Sequence, residues 1–380
     1  MIKVLISFGT RPEAIKMAPL VTCLKQDQNF NVKVMVTAQH REMLDQVLNV
    51  FKLLPDYDLN VMSSNQTLAM VASKILLGTE NILTEFKPDI VLVHGDTLSA
   101  FVVAQAAFYQ QIDVGHVEAG LRTYDLYSPW PEEGNRQLIS KIANLHFAPT
   151  QRSYDALIAE RIQAENIAIT GNTVIDALMQ IQARNLPLPK NENGESIKFS
   201  ETRKKVLITG HRRENFGEGF KNICLAIRTL AEQYQDVDFI YPVHLNPNVR
   251  NIVSKYLDHI GNVYLIPPQG YEEFIYLMKH SYLILTDSGG IQEEAPSLGV
   301  PVLVMRNTTE RQEAVDSGTV KLVGVAQSEI VNNVRNLLEN DKLYRKMSEA
   351  VNPYGTGDAS ERIKMKILNY YKNSSVIENQ

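Results

Sequence analysis

The chain of 380 residues has few of the features that assign a protein to a specialised class. It contains only two cysteines, Cys23 and Cys224, whose spacing fits neither a disulfide framework nor a metal site. We therefore predict no metal, a reducing compartment, and thiols that act as small buried apolar side chains. The formal net charge of −5 provides no basic excess, so nucleic acid is not expected as a partner.

Long hydrophobic runs are also missing from the sequence. A membrane-spanning helix needs about 20 consecutive apolar residues, and no stretch of this chain approaches that length. The first apolar run, Val4–Phe8, is too short for the core of a signal peptide and ends in a turn. The sequence therefore predicts a soluble, cytoplasmic protein without a membrane partner.

Two common nucleotide-binding fingerprints are absent as well. There is no Walker sequence, and Gly217–Gly219 lacks the third glycine of the G-x-G-x-x-G motif. We therefore expect no bound nicotinamide cofactor. Any phosphate group must be bound by local backbone and side-chain groups.

The apolar residues that are present form short runs separated by helix-length amphipathic segments. Because these runs are apolar on both faces, they are typical of buried parallel strands. They predict an α/β fold with two Rossmann-like domains that face a central cleft. We predict strands at Val4–Phe8, Val32–Thr37, Ile90–His94, Val114–Val117, His146–Pro149 and Ile167–Thr170, then at Val206–Thr209, Phe239–Val243, Val263–Ile266, Leu283–Thr286, Val302–Met305 and Val320–Val323.

A boundary between the two domains is indicated near the middle of the chain. The segment Leu186–Lys205 is rich in proline, asparagine and charged residues, which favours a surface loop. We place the first domain at residues 1–170 and the second at residues 171–355.

Polar residues cluster where the predicted strands end. In open α/β sheets, ligands bind beyond the carboxyl ends of the strands, so these residues predict a site. The clusters are Gly9–Glu13, His94–Thr97 and His116–Gly120 in the first half, and Gly210–Arg213, His244 and Asp287–Gly290 in the second.

Two of these clusters suit a phosphate group. Free N–H groups at Ser288, Gly289 and Gly290 could bind an anion, although an ordinary strand-to-helix turn explains the pattern equally well. Arg11 could donate to a pyrophosphate, with Lys16 nearby; the alternative is a surface ion pair with Glu13.

Three acids are candidates for acid/base chemistry. Asp96 and Glu118 each follow a β-branched run, where a carboxylate is costly to bury without a partner or a task. Glu132 lies in a loop with two prolines and the only tryptophan. The alternative is a structural salt-bridge network with Arg122 and Arg136, but the three acids together favour a catalytic role.

At this point several long motifs carry a resemblance to one family. The sequence resembles the bacterial non-hydrolysing UDP-N-acetylglucosamine 2-epimerases from residue 2 to about residue 370. The resemblance implies the GT-B fold, a last helix at about 356–376 that packs back on the first domain, a homodimer and no cofactor. The matching motifs are Phe8–Pro19, Val93–Thr97, Gly115–Arg122, Pro131–Glu133, Thr170–Leu178, Val243–Asn248, Thr286–Ser297 and Asn352–Gly355, with departures at Gly134 and Gln312.

The resemblance also implies roles for individual residues. Asp96, Glu118 and Glu132 would supply the acid, the base and the cation-stabilising group, without a division of labour among them. His211 would assist the departing UDP. The predicted substrate contacts are Arg11, Lys16, Ser288, Gly289, Gly290, Glu294 for the ribose, Arg311, and Phe274, which as a helix-face aromatic could equally belong to the core.

The expected reaction converts UDP-N-acetylglucosamine reversibly to UDP-N-acetylmannosamine. The hydrogen on carbon 2 is not acidic, so either NAD oxidises a neighbouring hydroxyl, or expulsion of UDP acidifies carbon 2. The family is thought to use the second route, an anti elimination that gives 2-acetamidoglucal and UDP. Competing interpretations are a GT-B glycosyltransferase, a hydrolase that releases N-acetylmannosamine, and a non-enzymatic sugar-nucleotide sensor.

Some family members also bind a second substrate molecule as an activator. The matching positions here are Gln39, Gln66, Glu132, Arg212 and His244. Glu42 stands where some members have glutamine, and Asn65 stands where some have arginine. Both changes weaken the expected attraction for a pyrophosphate.

Overall fold

A computed structural model describes residues 1–38, 41–63, 65–210 and 212–377, without the side chains of residues 42, 213 and 374–377. The chain forms two compact units. The first comprises Met1–Gln180 together with the described residues from Tyr354 onward, and the second comprises Ile181–Pro353. Each unit is built around one parallel sheet.

The first unit has a seven-stranded sheet in the order β3-β2-β1-β4-β5-β6-β7. Its strands are β1 (Ile2–Phe8), β2 (Phe30–Val36), β3 (Tyr57–Asp58), β4 (Ile90–His94), β5 (Asp113–Val117), β6 (Leu145–Ala148) and β7 (Ile167–Ile169). Its helices are α1 (Arg11–Lys25), α2 (Arg41–Phe51), α3 (Leu68–Phe86), α4 (Leu98–Tyr109), α5 (Glu132–Ile142), α6 (Gln151–Ala159) and α7 (Thr173–Gln182), which runs just past the end of this unit.

The second unit has a six-stranded sheet in the order β10-β9-β8-β11-β12-β13. Its strands are β8 (Lys204–Thr209), β9 (Val237–Pro242), β10 (Val263–Ile266), β11 (Leu283–Thr286), β12 (Val302–Val304) and β13 (Val320–Leu322). Its helices are α8 (Glu218–Gln233), α9 (Pro247–Leu257), α10 (Tyr271–Lys279), α11 (Gly289–Glu294), α12 (Gln312–Asp316), α13 (Gln327–Glu339) and α14 (Asp341–Ser348).

The predicted strands are confirmed, with ends that move by one or two residues. Their central residues are buried because helices cover both faces of each sheet, as in β4, where every residue is buried. Burial of one large aliphatic side chain contributes roughly 1.5–3 kcal/mol, so these runs provide most of the core. The two-residue edge strand β3 was not predicted, since a strand that short has no periodic pattern.

The sheet order places the candidate site. In both sheets the order reverses beside the first strand of the unit, between β1 and β4 and between β8 and β11. Loops that leave two such strands run to opposite faces of the sheet and open a crevice between them. The polar clusters after these four strands therefore lie at the ligand-binding edges of their own sheets.

The last helix, α15 (Ala359–Ile377), belongs to the first unit. The carboxylate of Asp176 accepts hydrogen bonds from the backbone N–H groups of Ala359 at 3.1 Å and Ser360 at 2.7 Å. Ile363 and Ile367 on this helix are fully buried. Asp176 therefore supplies the first turn of α15 with hydrogen-bond acceptors, which a helix start lacks within itself.

The two cysteines differ from the prediction in one respect. Cys224 is buried in the core of the second unit, as predicted. Cys23 is only partly buried, and its Sγ lies 3.4 Å from Oε2 of Glu361. Burial raises the pKa of each thiol to about 12, so both thiols are neutral near pH 7. Among the described residues, none of the helices is both long enough and apolar enough to cross a membrane.

Candidate active site

The loop after β1 is tied to the loop after β4 by one buried carboxylate. Glu13 accepts hydrogen bonds from the N–H groups of Gly9 at 3.0 Å and Thr10 at 2.8 Å. Its other oxygen accepts from the Thr97 hydroxyl at 2.7 Å. Burial raises the pKa of Glu13, and these hydrogen bonds oppose the rise. Glu13 therefore has a structural task, and Arg11 begins α1 directly beside it.

Glu118 is held in place by groups from three other elements. Its carboxylate pairs with Lys16 of α1, and the two side chains are only 9% and 10% exposed. Nδ2 of Asn172 donates to Oε2 of Glu118 at 2.7 Å, and Nε2 of His94 lies 3.7 Å from the same oxygen. The backbone of Glu118 has a φ of +63°, a strained conformation for a residue with a side chain. Such strain is typical of functional sites.

Asp96 lies beside Glu118 and Glu132, and it is held from α5. Nη2 of Arg136 contacts Oδ2 of Asp96 at 2.5 Å, and Nδ2 of Asn135 donates to the Asp96 carbonyl oxygen at 2.9 Å. Burial raises the pKa of Asp96, the Arg136 guanidinium lowers it, and the charges of Glu118 and Glu132 raise it further. The structure therefore brings the three predicted acids together within the first unit.

The histidines beside these acids are neutral near pH 7. Burial lowers the pKa of His94 to about 4, although the negative charge of Glu118 opposes this effect. Burial likewise lowers the pKa of His116 to about 3, and its Nε2 lies 2.7 Å from the Gly95 carbonyl oxygen. Neither imidazole therefore contributes a positive charge to this cluster near pH 7.

The second unit places two arginine side chains at the start of α11. Ser288 precedes this helix, and its N–H donates to the Thr286 hydroxyl at 2.9 Å. A Cβ built on Gly289 would lie 3.6 Å from Cζ of Arg311 and 3.8 Å from Nη2 of Arg212. Two guanidinium groups thus flank the backbone of Gly289, an arrangement that suits a phosphate.

Acidic side chains hold these cationic loops in position. Nε of Arg311 donates to Oε1 of Glu293 at 2.8 Å. Nε of Arg306 donates to Oε1 of Glu214 at 2.5 Å, and its Nη1 contacts Glu310 at 3.1 Å. Burial raises the pKa of Glu310, but its bonds with Arg306 outweigh this effect and hold the value at about 2. Glu310 is therefore ionised throughout the neutral range.

The predicted ribose and uracil contacts lie on neighbouring elements of the second unit. Oε1 of Glu294 accepts a hydrogen bond from the Tyr271 hydroxyl at 2.8 Å. A Cβ built on Gly290 would lie 3.8 Å from Oε2 of Glu294. Phe274 is half-buried on α10, so it is not a fully buried core residue.

Of the positions predicted for an activator, Gln66 and Glu132 belong to the first unit, and Arg212 and His244 belong to the second. Gln66 lies before α3, where its Oε1 accepts from the Ser63 N–H at 2.6 Å. His244 is exposed after β9, and its Nδ1 accepts from the Asn246 N–H at 3.1 Å. Gln39, and the predicted catalytic residue His211, lie outside the described residues.

Some residues of the site were not singled out from the sequence. Arg136 was interpreted only as a structural ion-pair partner, and it does pair with Asp96, whereas Arg122 bonds Glu160 at 2.6 Å. Asn172 and Asn135 contact the acids directly. Asn172 comes shortly after the end of β7, and this position after a strand end was the feature of the sequence that could have identified it.

Comparison with known proteins identifies the family. A family model described as UDP-N-acetylglucosamine 2-epimerase matches residues 22–368. The chain is 54% identical to the UDP-N-acetylglucosamine 2-epimerase of Campylobacter jejuni, across 98% of this chain and 99% of that protein. It is 56% identical to the Escherichia coli K12 enzyme of the same name, across 97% of this chain and 98% of that protein.

Solved structures of such epimerases have the same fold. The Neisseria meningitidis UDP-GlcNAc 2-epimerase bound to UDP-GlcNAc is 51% identical, with a TM-score of 0.86 over 97% of this chain and 100% of that chain. The Methanocaldococcus jannaschii enzyme in complex with UDP-GlcNAc and UDP is 35% identical, with a TM-score of 0.76 over 97% and 100% of the two chains. These matches confirm the predicted GT-B fold.

Proposed function

The chain belongs to the UDP-N-acetylglucosamine 2-epimerase family, and we propose that it inverts carbon 2 by expelling UDP and adding it back to a 2-acetamidoglucal intermediate. The product is UDP-N-acetylmannosamine, and the reaction is reversible. The observation that carries this proposal is the cluster of Asp96, Glu118 and Glu132 within the first unit, in which the charges of Glu118 and Glu132 both act on Asp96. We propose that the first unit performs proton transfer and the second binds UDP.

This route requires a base, an acid and a group that stabilises positive charge. A base takes the proton from carbon 2, those electrons form the bond between carbons 1 and 2, and the bond from carbon 1 to oxygen breaks with its electrons on UDP. An acid then returns a proton to the opposite face, and UDP adds to carbon 1. Positive charge develops at carbon 1 in both steps, so an anion near that carbon stabilises the transition states.

The surroundings of the three acids support a division of these tasks. Lys16 and Asn172 favour the ionised form of Glu118, which we assign to stabilising the charge at carbon 1. Burial raises the pKa of Asp96, which suits a group that carries a proton for part of the cycle. We assign proton transfer on the two faces of the sugar to Asp96 and Glu132.

The groups at the start of α11 support the assignment of UDP to the second unit. The N–H groups of Gly289 and Gly290, the Ser288 hydroxyl and Arg311 would bind the pyrophosphate, and Arg11 and Lys16 remain proposed contacts from the first unit. Glu294 suits the ribose hydroxyls, and the half-buried ring of Phe274 suits the uracil. We retain His211 as the proposed residue that assists the departing UDP.

Turnover in heavy water tests the proposed reaction. We expect UDP-N-acetylglucosamine to give UDP-N-acetylmannosamine that carries deuterium on carbon 2, without added cofactor. Mass spectrometry and proton NMR would detect the isomer and the label. A product that keeps the original hydrogen would contradict proton transfer, and free N-acetylmannosamine or a glycosylated acceptor would indicate the hydrolase or the glycosyltransferase instead.

Substrate activation and assembly form a second part of the proposal. We propose a cytoplasmic homodimer that supplies surface polysaccharide synthesis and is activated by UDP-N-acetylglucosamine, and the family resemblance is what supports this. If activation operates, the reverse reaction from UDP-N-acetylmannosamine alone begins with a lag, which a trace of UDP-N-acetylglucosamine abolishes. A linear progress curve from the first turnover would contradict activation, and light scattering during gel filtration would test the dimer.

A further inference from the structure

The first turns of α5 carry a set of polar side chains that converge on Asp96. Glu132, Asn135 and Arg136 stand at positions i, i+3 and i+4 of the helix, so they share one face. Asn135 donates to the Asp96 carbonyl oxygen, and Arg136 donates to its carboxylate at 2.5 Å. Glu132 acts on Asp96 by its charge. One face of α5 therefore holds Asp96 in position and also carries Glu132.

Arg136 is itself held by a second carboxylate, that of Glu133. Its Nη1 lies 3.3 Å from Oε2 of Glu133, a carboxylate that is completely buried. Glu133 also accepts the N–H groups of Thr123 at 3.0 Å and Tyr124 at 3.1 Å. Nη1 of the planar guanidinium thus contacts Glu133 and Nη2 contacts Asp96, and the Arg136 side chain is only 10% exposed. These two contacts together restrict the guanidinium to one orientation.

We propose that Arg136 is a positioning residue of the epimerisation, which orients the Asp96 carboxylate and supplies its counter-charge, and that Glu133 holds Arg136 in place for this purpose. The proposal rests on the proposed role of Asp96 in proton transfer. Arg136 acts through Asp96 and has no assigned contact with substrate. Its two contributions, charge and orientation, can be separated by substitution.

The charges that surround Asp96 determine the sign of the effect. Arg136 and Glu132 face it from α5, and Glu118 faces it from the loop after β5, where Lys16 of α1 pairs with Glu118. Arg136 lowers the pKa of Asp96, whereas burial and the two acids raise it. Removal of the Arg136 charge therefore raises the pKa of Asp96.

The pH profile of kcat for the epimerisation tests this inference in the full-length enzyme. In Arg136→Gln, the limb that reports Asp96 should move to higher pH by roughly one unit or more. The direction is the same whether Asp96 acts as a base on the acidic limb or as an acid on the alkaline limb. Arg136→Lys keeps the positive charge but cannot contact both carboxylates through two fixed nitrogens. We therefore expect kcat to fall by roughly 10²-fold, with a much smaller shift of the pH-profile limb that reports Asp96.

Lys141→Gln is the matched control, since it removes one positive charge from the same helix. The Lys141 side chain is 55% exposed and pairs with Glu160 at 3.8 Å, away from Asp96. We expect its pH profile and kcat to match those of the unmodified enzyme. Circular dichroism and UDP affinity, measured for every variant, would report any loss of the fold.

The outcomes separate this inference from the proposed function. If Asp96→Asn keeps full activity, the proposed role of Asp96 is wrong. If Asp96→Asn is inactive but Arg136→Gln has the parental pH profile, Arg136 has only a structural role and the positioning inference is overturned. Should Arg136→Gln be inactive, carbon-13 NMR of labelled aspartate carboxyls, with Asp96→Asn for assignment, gives the pKa directly. An unchanged pKa of Asp96 would then overturn the inference.

Discussion

At the scale of single residues, Glu118 and Asp96 have different partners, and these partners distinguish the two acids chemically. Glu118 is paired with a lysine and bonded by an asparagine, whereas Asp96 is held by an arginine and is buried near two other acids. Carboxylates of one cluster thus lie in different surroundings, which suits the different tasks proposed for Glu118 and Asp96. Substitutions at this scale should affect turnover more than the binding of UDP.

Replacement of single acids is expected to lower turnover without a loss of the nucleotide. Glu118→Gln keeps an oxygen that can accept the hydrogen bond from Asn172 but removes the charge that faces Lys16. Asp96→Asn and Glu132→Gln likewise remove a proton-transfer group while they preserve shape. We expect each kcat to fall by roughly 10²-fold or more, with UDP affinity by calorimetry little changed. Near-normal turnover of a variant would remove that residue from the catalytic set.

The space around Gly289 gives a graded test of the phosphate site. Alanine would place its Cβ 3.6 Å from Cζ of Arg311 and 3.8 Å from Nη2 of Arg212, which is ordinary contact. The two methyl groups of valine would extend further, towards the guanidinium groups and the space where a phosphate should bind. We therefore expect Gly289→Val to weaken UDP binding by roughly tenfold or more, and Gly289→Ala to weaken it less. Unchanged binding by a folded Gly289→Val protein would place the pyrophosphate elsewhere.

At the scale of elements, α5 carries proposed catalytic residues on one face, and its first turn also contains a glycine that disfavours helix formation. Its first turn presents Glu132 and Glu133 at the helix start, where the helix dipole stabilises negative charge. Between them and Asn135 lies Gly134, the least favourable helix former other than proline. A Cβ built on Gly134 would meet no described atom within 4 Å. The stability of α5 can therefore be changed without a clash.

Gly134→Ala should stabilise α5 by about 0.5–1 kcal/mol, because alanine loses less backbone entropy than glycine when the helix forms. Thermal unfolding followed by circular dichroism should show a midpoint higher by roughly 2 °C. Gly120→Ala provides the contrasting case. A Cβ there would lie 2.2 Å from the Ser153 carbonyl oxygen at a φ of +92°, so that variant should be destabilised. A lower midpoint for Gly134→Ala would show that this position needs glycine for another reason.

At the scale of the whole molecule, the end of the chain returns to the unit that contains its beginning. α15 belongs to the first unit, where Tyr371 donates to an oxygen of Asp113 at 2.9 Å. The carboxylate of Asp176 accepts two N–H groups from the first turn of α15. Burial raises the pKa of Asp176, and the hydrogen bonds from Ser360 and Ala359 oppose the rise. One buried side chain thus anchors the last helix of the fold.

Asp176→Ala should loosen α15, because two N–H groups at its start would lose their acceptor. Loss of a capping carboxylate costs about 0.5–2 kcal/mol. Hydrogen–deuterium exchange followed by mass spectrometry should show faster exchange in peptides from residues 359–377. Asp155→Ala is the control, since that side chain is exposed on α6, where it accepts a hydrogen bond from Gln151 at 2.8 Å. Equal protection of α15 in the Asp176→Ala and parental proteins would contradict the anchoring role.

Much of the architecture could be read from the sequence. Ile90–His94, Val263–Ile266 and Leu283–Thr286 were predicted with their observed ends, because a strand buried on both faces must be apolar throughout. The polar clusters also placed Asp96 and Glu118 after strand ends, where ligands bind in this type of sheet. The sequence by itself therefore determined the fold class, the position of most strands and the family.

The partners of the acids were decided only by the tertiary structure. Arg136 and Asp96 are separated by 40 positions, and Asn172 and Glu118 by 54 positions, yet each pair is within hydrogen-bond distance. Hydrophobic periodicity reports which face of an element is buried, but it carries no information about which loops meet at the edge of a sheet. The order β1-β4-β5-β6-β7 brings these loops side by side. The pKa of Asp96 therefore depends on the tertiary structure, because burial and neighbouring charges exist only once the chain has folded.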